Sequence, residues 1–154
     1  MTFGEMIEGL GKSLGVEMTD EGGAAAVEVD GNPVVLQRAS DDLLLVHADL
    51  GEVAPDSRER VLAAAMEANF LYQGTGGATL AVDSRDGHLH LQKYNWLARL
   101  DPEKALMDFT RFADTVQTWK GLVADCSSSA QMKEPSTDAF GDAYRDRPSG
   151  FLQV

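Results

Sequence analysis

The apolar positions of this chain change their period several times, and each change marks an element. Phe3, Ile7, Leu10 and Leu14 recur at steps of four, three and four, which puts them on one stripe of a helix. Thr2 and Glu5 have capping-box spacing and Gly15 supplies a stop, so the helix is expected over residues 2–15. Gly4, Gly9 and Gly11 each cost up to about 1 kcal/mol relative to alanine in a helix, so tertiary contacts must hold it. Strand-like residues 25–29 and 34–37 flank Asp30-Gly31-Asn32-Pro33, a hairpin signal, and a third strand follows Asp41-Asp42 at residues 43–48. Pro55-Asp56-Ser57 opens a second helix that runs to about Phe70. Gln73-Gly74-Thr75-Gly76-Gly77 breaks the chain, and residues 78–83 and 88–94 flank Ser84-Arg85-Asp86-Gly87 as a second hairpin.

The third helix has the clearest start. Asp101 is a good N-cap, Pro102 suits the first helical position and Glu103 favours the positive end of the dipole. Leu106, Phe109, Ala113, Val116 and Val123 mark its apolar face, with Phe112 and Trp119 close to it. From Cys126 onward serine, proline and mixed charge replace periodicity, so the reading is a domain over residues 1–125 and a flexible tail over 126–154. The element order α-β-β-β-α-β-β-α, with antiparallel strands and helices packed on them, is an α+β architecture.

Two segments carry more apolar surface than this plan explains. An antiparallel strand covered on one face alternates apolar and polar residues, as His88-Leu89-His90-Leu91-Gln92 does. The third strand does not: Leu43 and Leu45 point one way, Leu44 and Val46 the other. Either two helices sandwich it within one chain, or one face is left for a partner. Val61-Leu62-Ala63-Ala64-Ala65-Met66 is apolar around the whole circumference of the second helix, the mark of a helix buried on all sides. A twin chain would supply the cover that three helices cannot; a weakly striped alanine-rich helix is the plainer reading.

Composition narrows the partners. The chain has 154 residues, enough for one domain with its own core, and a formal charge of −12. So acidic a surface repels phosphate backbones and anionic membranes, so neither nucleic acid nor membrane is an expected partner. With the single cysteine Cys126 no intrachain disulfide can form, which suits a reducing cytoplasm. The first fifteen residues lack a basic start and an apolar run, so they do not read as a signal peptide.

Candidate chemistry is sparse. Gly11-Lys12-Ser13 has the ending of a phosphate-binding loop, but Met6 stands where its first glycine belongs and no strand precedes it. His88 and His90 share a strand face while His47 lies on another strand. No cysteine or carboxylate has ligand spacing beside them, so solvated histidines and no metal or cofactor are expected. The carboxylates spread over turns and solvent-facing positions, and no nucleophile elbow occurs, so no enzyme is expected.

Other features together resemble the Tir chaperone family, the class I type III secretion chaperones. Glu67-Ala68-Asn69 at the end of the second helix looks like the family's Ala-Asn ending. Residues 77–83 and 87–91 resemble its fourth and fifth strands. Leu106, Phe109, Ala113 and Trp119 fall where it places apolar residues, and Asp49-Leu50-Gly51 after the third strand also fits. The likeness covers roughly residues 3–123.

The resemblance implies a homodimer centred on the second helix with help from an adjoining strand, placing Val61, Leu62, Ala65, Met66, Asn69 and Leu80 in the interface. It implies no catalysis and no cofactor, and a cytoplasmic chaperone that binds the unfolded N-terminal region of a secreted effector. Phe3, Ile7, Leu10 and Leu14, with Leu44 and Val46 or their opposite-face neighbours, are the expected client-binding residues. Phe151 and Leu152 are expected to compete for the same groove from the tail. The alternative is an interaction or regulatory module of the same fold outside secretion.

Overall fold

The computed structural model describes residues 1–128. Its main elements are α1 (Phe3–Leu14), β1 (Ala24–Val29), β2 (Asn32–Ser40), β3 (Leu43–Glu52), α2 (Arg58–Asn69), β4 (Thr79–Val82), β5 (His88–Trp96) and α3 (Pro102–Ser128). This is the α-β-β-β-α-β-β-α order expected from the hydrophobic pattern. The five strands form one antiparallel sheet in the order β1-β2-β3-β5-β4.

Local chemistry sets the ends. At α1, the Thr2 amide donates to the Glu5 carboxylate at 2.7 Å and the Glu5 amide donates to the Thr2 hydroxyl at 3.3 Å, closing the capping box. At α3, the Lys104 amide donates to the Asp101 carboxylate at 2.8 Å. The first turn is shorter than the expected four residues. Asp30 (φ 51°) and Gly31 (φ 77°) both take the left-handed conformation, so two residues reverse the chain and Asn32 and Pro33 already belong to β2. Such a pair matches the twist of the flanking strands.

The core lies on one face of the sheet. Met6 and Leu10 of α1, Leu36, Leu44 and Val46 of the sheet, and Phe109 and Phe112 of α3 meet around one small gap. Leu89, Leu91 and Leu97 join the same buried cluster. Near the far end of α3, the Trp119 indole N–H donates to the Gly74 carbonyl at 2.9 Å and ties the loop after α2 to the helix. Helix α3 continues through Cys126 to Ser128, three residues into the segment assigned by composition to a tail; the rest of that segment, Phe151 and Leu152 included, lies outside the described residues.

Within one chain, helix α2 is covered along one side. Val61, Ala65 and Ala68 form the buried stripe, whereas Met66 is 71 % exposed. Alanines at 63–65 present little apolar area, so covering one side is enough to hold the helix within a single chain.

Candidate functional site

Among the described residues, the sheet's second face keeps several apolar residues uncovered. Register puts Leu43 beside Trp96, Leu45 beside Tyr94 and Gln37, and His47 beside Gln92 and Val35 on this side. Residues of the opposite parity meet α1 and α3. Tyr94 and Trp96 are 57 % and 55 % exposed, and Leu43, Leu45 and Val35 are half-buried.

Strand β5 reverses polarity along its length. Leu89 and Leu91 point into the core, but Lys93 and Asn95, of the same parity, line the gap under α3, where the Lys93 ammonium lies 3.4 Å from the Asp108 carboxylate. The aromatic residues take the other side. A strand that sends its polar residues inward and its aromatics outward is shaped for an apolar neighbour on its outer face.

The two edges of the sheet are treated differently. The β4 edge is closed: the Leu80 amide donates to the Asn69 side-chain oxygen at 2.8 Å, and the Asn69 side-chain nitrogen donates to the Leu80 carbonyl at 3.0 Å. Among the described residues nothing pairs with the β1 edge. Because the Arg38 amide donates to the Gly23 carbonyl, the paired positions of β1 are 25, 27 and 29, and the main-chain groups of Ala26 and Glu28 face outward. An open edge is a template for another strand.

These placements redistribute the sites expected from sequence. Phe3, Ile7, Leu10, Leu44 and Val46 are at most 5 % exposed, with Leu14 packed beside them, so they hold α1 to the sheet and α3 and do not present a free groove wall. Their opposite-face neighbours, Leu43 and Leu45, hold the outward parity. Among the residues expected in the dimer interface, Val61, Ala65 and Leu80 are buried within the chain, and Asn69 is occupied with Leu80. Leu62 is half-buried and Met66 exposed. Sequence reading missed Phe70, Leu71 and Tyr72, which follow Met66 on the surface; Leu71 and Tyr72 have φ of 52° and 58°, a conformation that costs side-chain-bearing residues about 1–3 kcal/mol each. Three large apolar residues in a row after a helix were the signal available.

All three histidines gather on the outer face, including His47, which sequence alone could not place beside the others. The His88 and His90 rings stack with centroids 6.5 Å apart, and His88 Nδ1 lies 2.8 Å from an Asp49 carboxylate oxygen. That hydrogen bond raises the His88 pKa against the opposing effect of burial. Burial pushes the Asp49 carboxyl up, but the Gly51 amide and then His88 outweigh it and hold it below the ordinary value. His47 is lowered, by burial first and His90 second. Although the sequence reads as giving no carboxylate ligand spacing beside these histidines, Asp83, Asp86 and His90 place potential ligand atoms within 4.8 Å of one another. Among the described residues no helix is long and apolar enough to cross a membrane.

The model of the Tir chaperone protein (CesT) family matches residues 5–120, most of the described chain. No curated protein matches by sequence. One similar solved structure is a chain of the Yersinia pestis type III secretion chaperone SycH in complex with a stable fragment of YscM2, at 22 % identity and TM-score 0.62, covering 77 % of this chain and 99 % of that one. Another is from the HopA1–SchA chaperone–effector complex, at 16 % identity and TM-score 0.61, covering 76 % and 91 %. The fold also occurs in YbjN of E. coli, described as a putative transcription regulator, at 14 % identity and TM-score 0.54, covering 77 % and 91 %.

Proposed function

Since the chain belongs to the Tir chaperone protein (CesT) family, we propose that it is a cytoplasmic chaperone that binds an extended, unfolded N-terminal segment of a type III secreted effector and keeps it competent for secretion. Solved relatives of this fold have been captured as chaperone–effector complexes, which supports the reading. The observation that carries it in this chain is the outer sheet face, where Leu43, Leu45, Tyr94 and Trp96 lie on a sheet whose β1 edge is unpaired among the described residues.

Energetics suit such a client. Ordering a chain costs about 1–2 kcal/mol per residue in backbone entropy, and burying one large apolar side chain returns about 1.5–3 kcal/mol. A few anchors therefore cannot hold a long segment. A row of apolar sites combined with strand pairing along Ala26 and Glu28 can. The formal charge of −12 favours client segments that are neutral or basic. Chemistry on the client is no part of the role.

The partner of α2 is a second copy of the chain. Leu62 and Met66 on the outer side of α2, with Phe70, Leu71 and Tyr72 after it, form a patch that a homodimer would cover. The interface is thereby shifted from the buried Val61, Ala65 and Leu80 to their outward neighbours.

Co-purification from the native cell, identification of the bound protein and limited proteolysis of the complex test the function. A secreted protein protected along its N-terminal region, and released by Leu45→Glu, supports the reading. A folded partner with no protected segment, or a regulator bound at the same face, overturns it in favour of the alternative module, a role consistent with the fold's occurrence in YbjN.

A further inference from the structure

We propose that the β4–β5 turn is a binding site for one divalent transition-metal ion, held by the carboxylates of Asp83 and Asp86 and the imidazole of His90. The site goes beyond the chaperone reading and does not depend on it.

One ligand atom from each of the three residues lies within 4.8 Å of the other two. Separately, among the described residues His90 Nε2 is shut off from solvent and has no hydrogen-bond partner, on a residue that is otherwise half-buried. A buried ring nitrogen without a partner leaves imidazole lone-pair or N–H capacity unused, and imidazole is the commonest side-chain metal ligand. The donor set, one nitrogen and two carboxylate oxygens, suits zinc and its neighbours; calcium and magnesium favour oxygen alone. Three protein ligands leave a fourth position for water.

The turn is already organised for this. The Gly87 amide donates to the Asp83 carbonyl at 2.8 Å, and the His88 amide donates to an Asp86 carboxylate oxygen at 2.9 Å. Ligand distances of about 2.0–2.2 Å bring donors to roughly 3–3.5 Å from each other, so the set must draw in slightly; Asp86, exposed on the turn, can rotate to do so. Asp83 is held ionised by the side chain of Arg85, which hydrogen-bonds it. Arg85 is therefore a competitor for the ion. Its side chain is 87 % exposed and free to swing away.

Titration of the full chain with zinc chloride by calorimetry, together with NMR of the 15N-labelled imidazoles, decides the matter. One zinc per chain should bind, the His90 ring nitrogens should shift, and His90→Gln and Asp86→Asn should each weaken binding at least tenfold. Arg85→Ala should tighten it several-fold, an outcome that diffuse attraction to an acidic surface would not produce. Asp86 and Arg85 are exposed, so these two variants keep the test decisive if His90→Gln folds poorly. No saturable binding overturns the proposal. So does zinc displaced equally well by magnesium chloride, or binding lost in His88→Gln while the His90 nitrogens stay unshifted.

Discussion

Replacing Asn69 with alanine removes both hydrogen bonds between α2 and the β4 edge. Each such bond contributes about 0.5–1.5 kcal/mol net, so the pair contributes roughly 1–3 kcal/mol. The Leu80 amide and carbonyl then sit at a part-buried strand edge with only water to satisfy them, which keeps the loss toward the upper half of that range. For a domain of this size 1 kcal/mol moves the melting temperature by about 3–5 °C, so a fall of roughly 6–15 °C is expected. Asn69→Asp separates geometry from packing: it keeps an acceptor for the Leu80 amide but sets a second oxygen against the Leu80 carbonyl, and should be no better than alanine. Urea and thermal unfolding at one fixed chain concentration measure both variants, because a dimer's apparent stability depends on concentration. Size-exclusion chromatography of Asn69→Ala should also show added self-association, since an edge closed by a side chain becomes available for pairing. A loss below 0.5 kcal/mol, by the criterion that surface changes stay within about that value, would refute the role given to Asn69.

Glycines in α1 should respond with opposite signs. Gly4 and Gly9 have open space where a Cβ would stand, so Gly→Ala at either should stabilise by about 0.5–1 kcal/mol, whereas a Cβ at Gly11 would come 2.8 Å from the Val16 carbonyl oxygen and should destabilise despite the better helix propensity; urea midpoints measure the difference. The His88–Asp49 contact stabilises the fold when His88 is charged. Its folded pKa is raised, so the contribution is complete below the unfolded value of about 6.5 and fades as pH rises through the folded one. His47, lowered by burial and His90, acts in the opposite sense, so the informative quantity is the difference between wild type and Asp49→Asn, which should be larger at pH 6 than at pH 8 in melting experiments; an equal loss at both would count against the pairing. Trp96 has about half its surface free, so a client that covers it gains about 2–3 kcal/mol, and Trp96→Ala should weaken client binding about 30- to 150-fold by calorimetry while leaving the melting temperature of the free chaperone within a few degrees.

Local signals carried a large share of this protein. The capping box at Thr2 and Glu5, the left-handed pair at Asp30-Gly31, and Asp101 before Pro102 act within a few residues of themselves, so element order and the α+β class could be read directly. Hydrophobic period likewise showed that β3 is apolar on both sides. Which side faces out could not follow from that, because a strand's two parities are chemically alike until something packs on one of them; α1 and α3 chose Leu44 and Val46, leaving Leu43 and Leu45 outside. The same contest turned Phe3, Ile7 and Leu10 into core. Asn69 and Leu80, eleven residues apart, meet because α2 packs on β4, and Asp49 and His88, thirty-nine apart, because β3 pairs with β5. Sequence by itself determined the elements and the surplus of apolar surface, since both arise from short-range chemistry and residue counts. The tertiary structure alone decided where that surplus lies, which edge stays unpaired among the described residues and which carboxylate reaches His88, since those depend on pairing between segments distant along the chain.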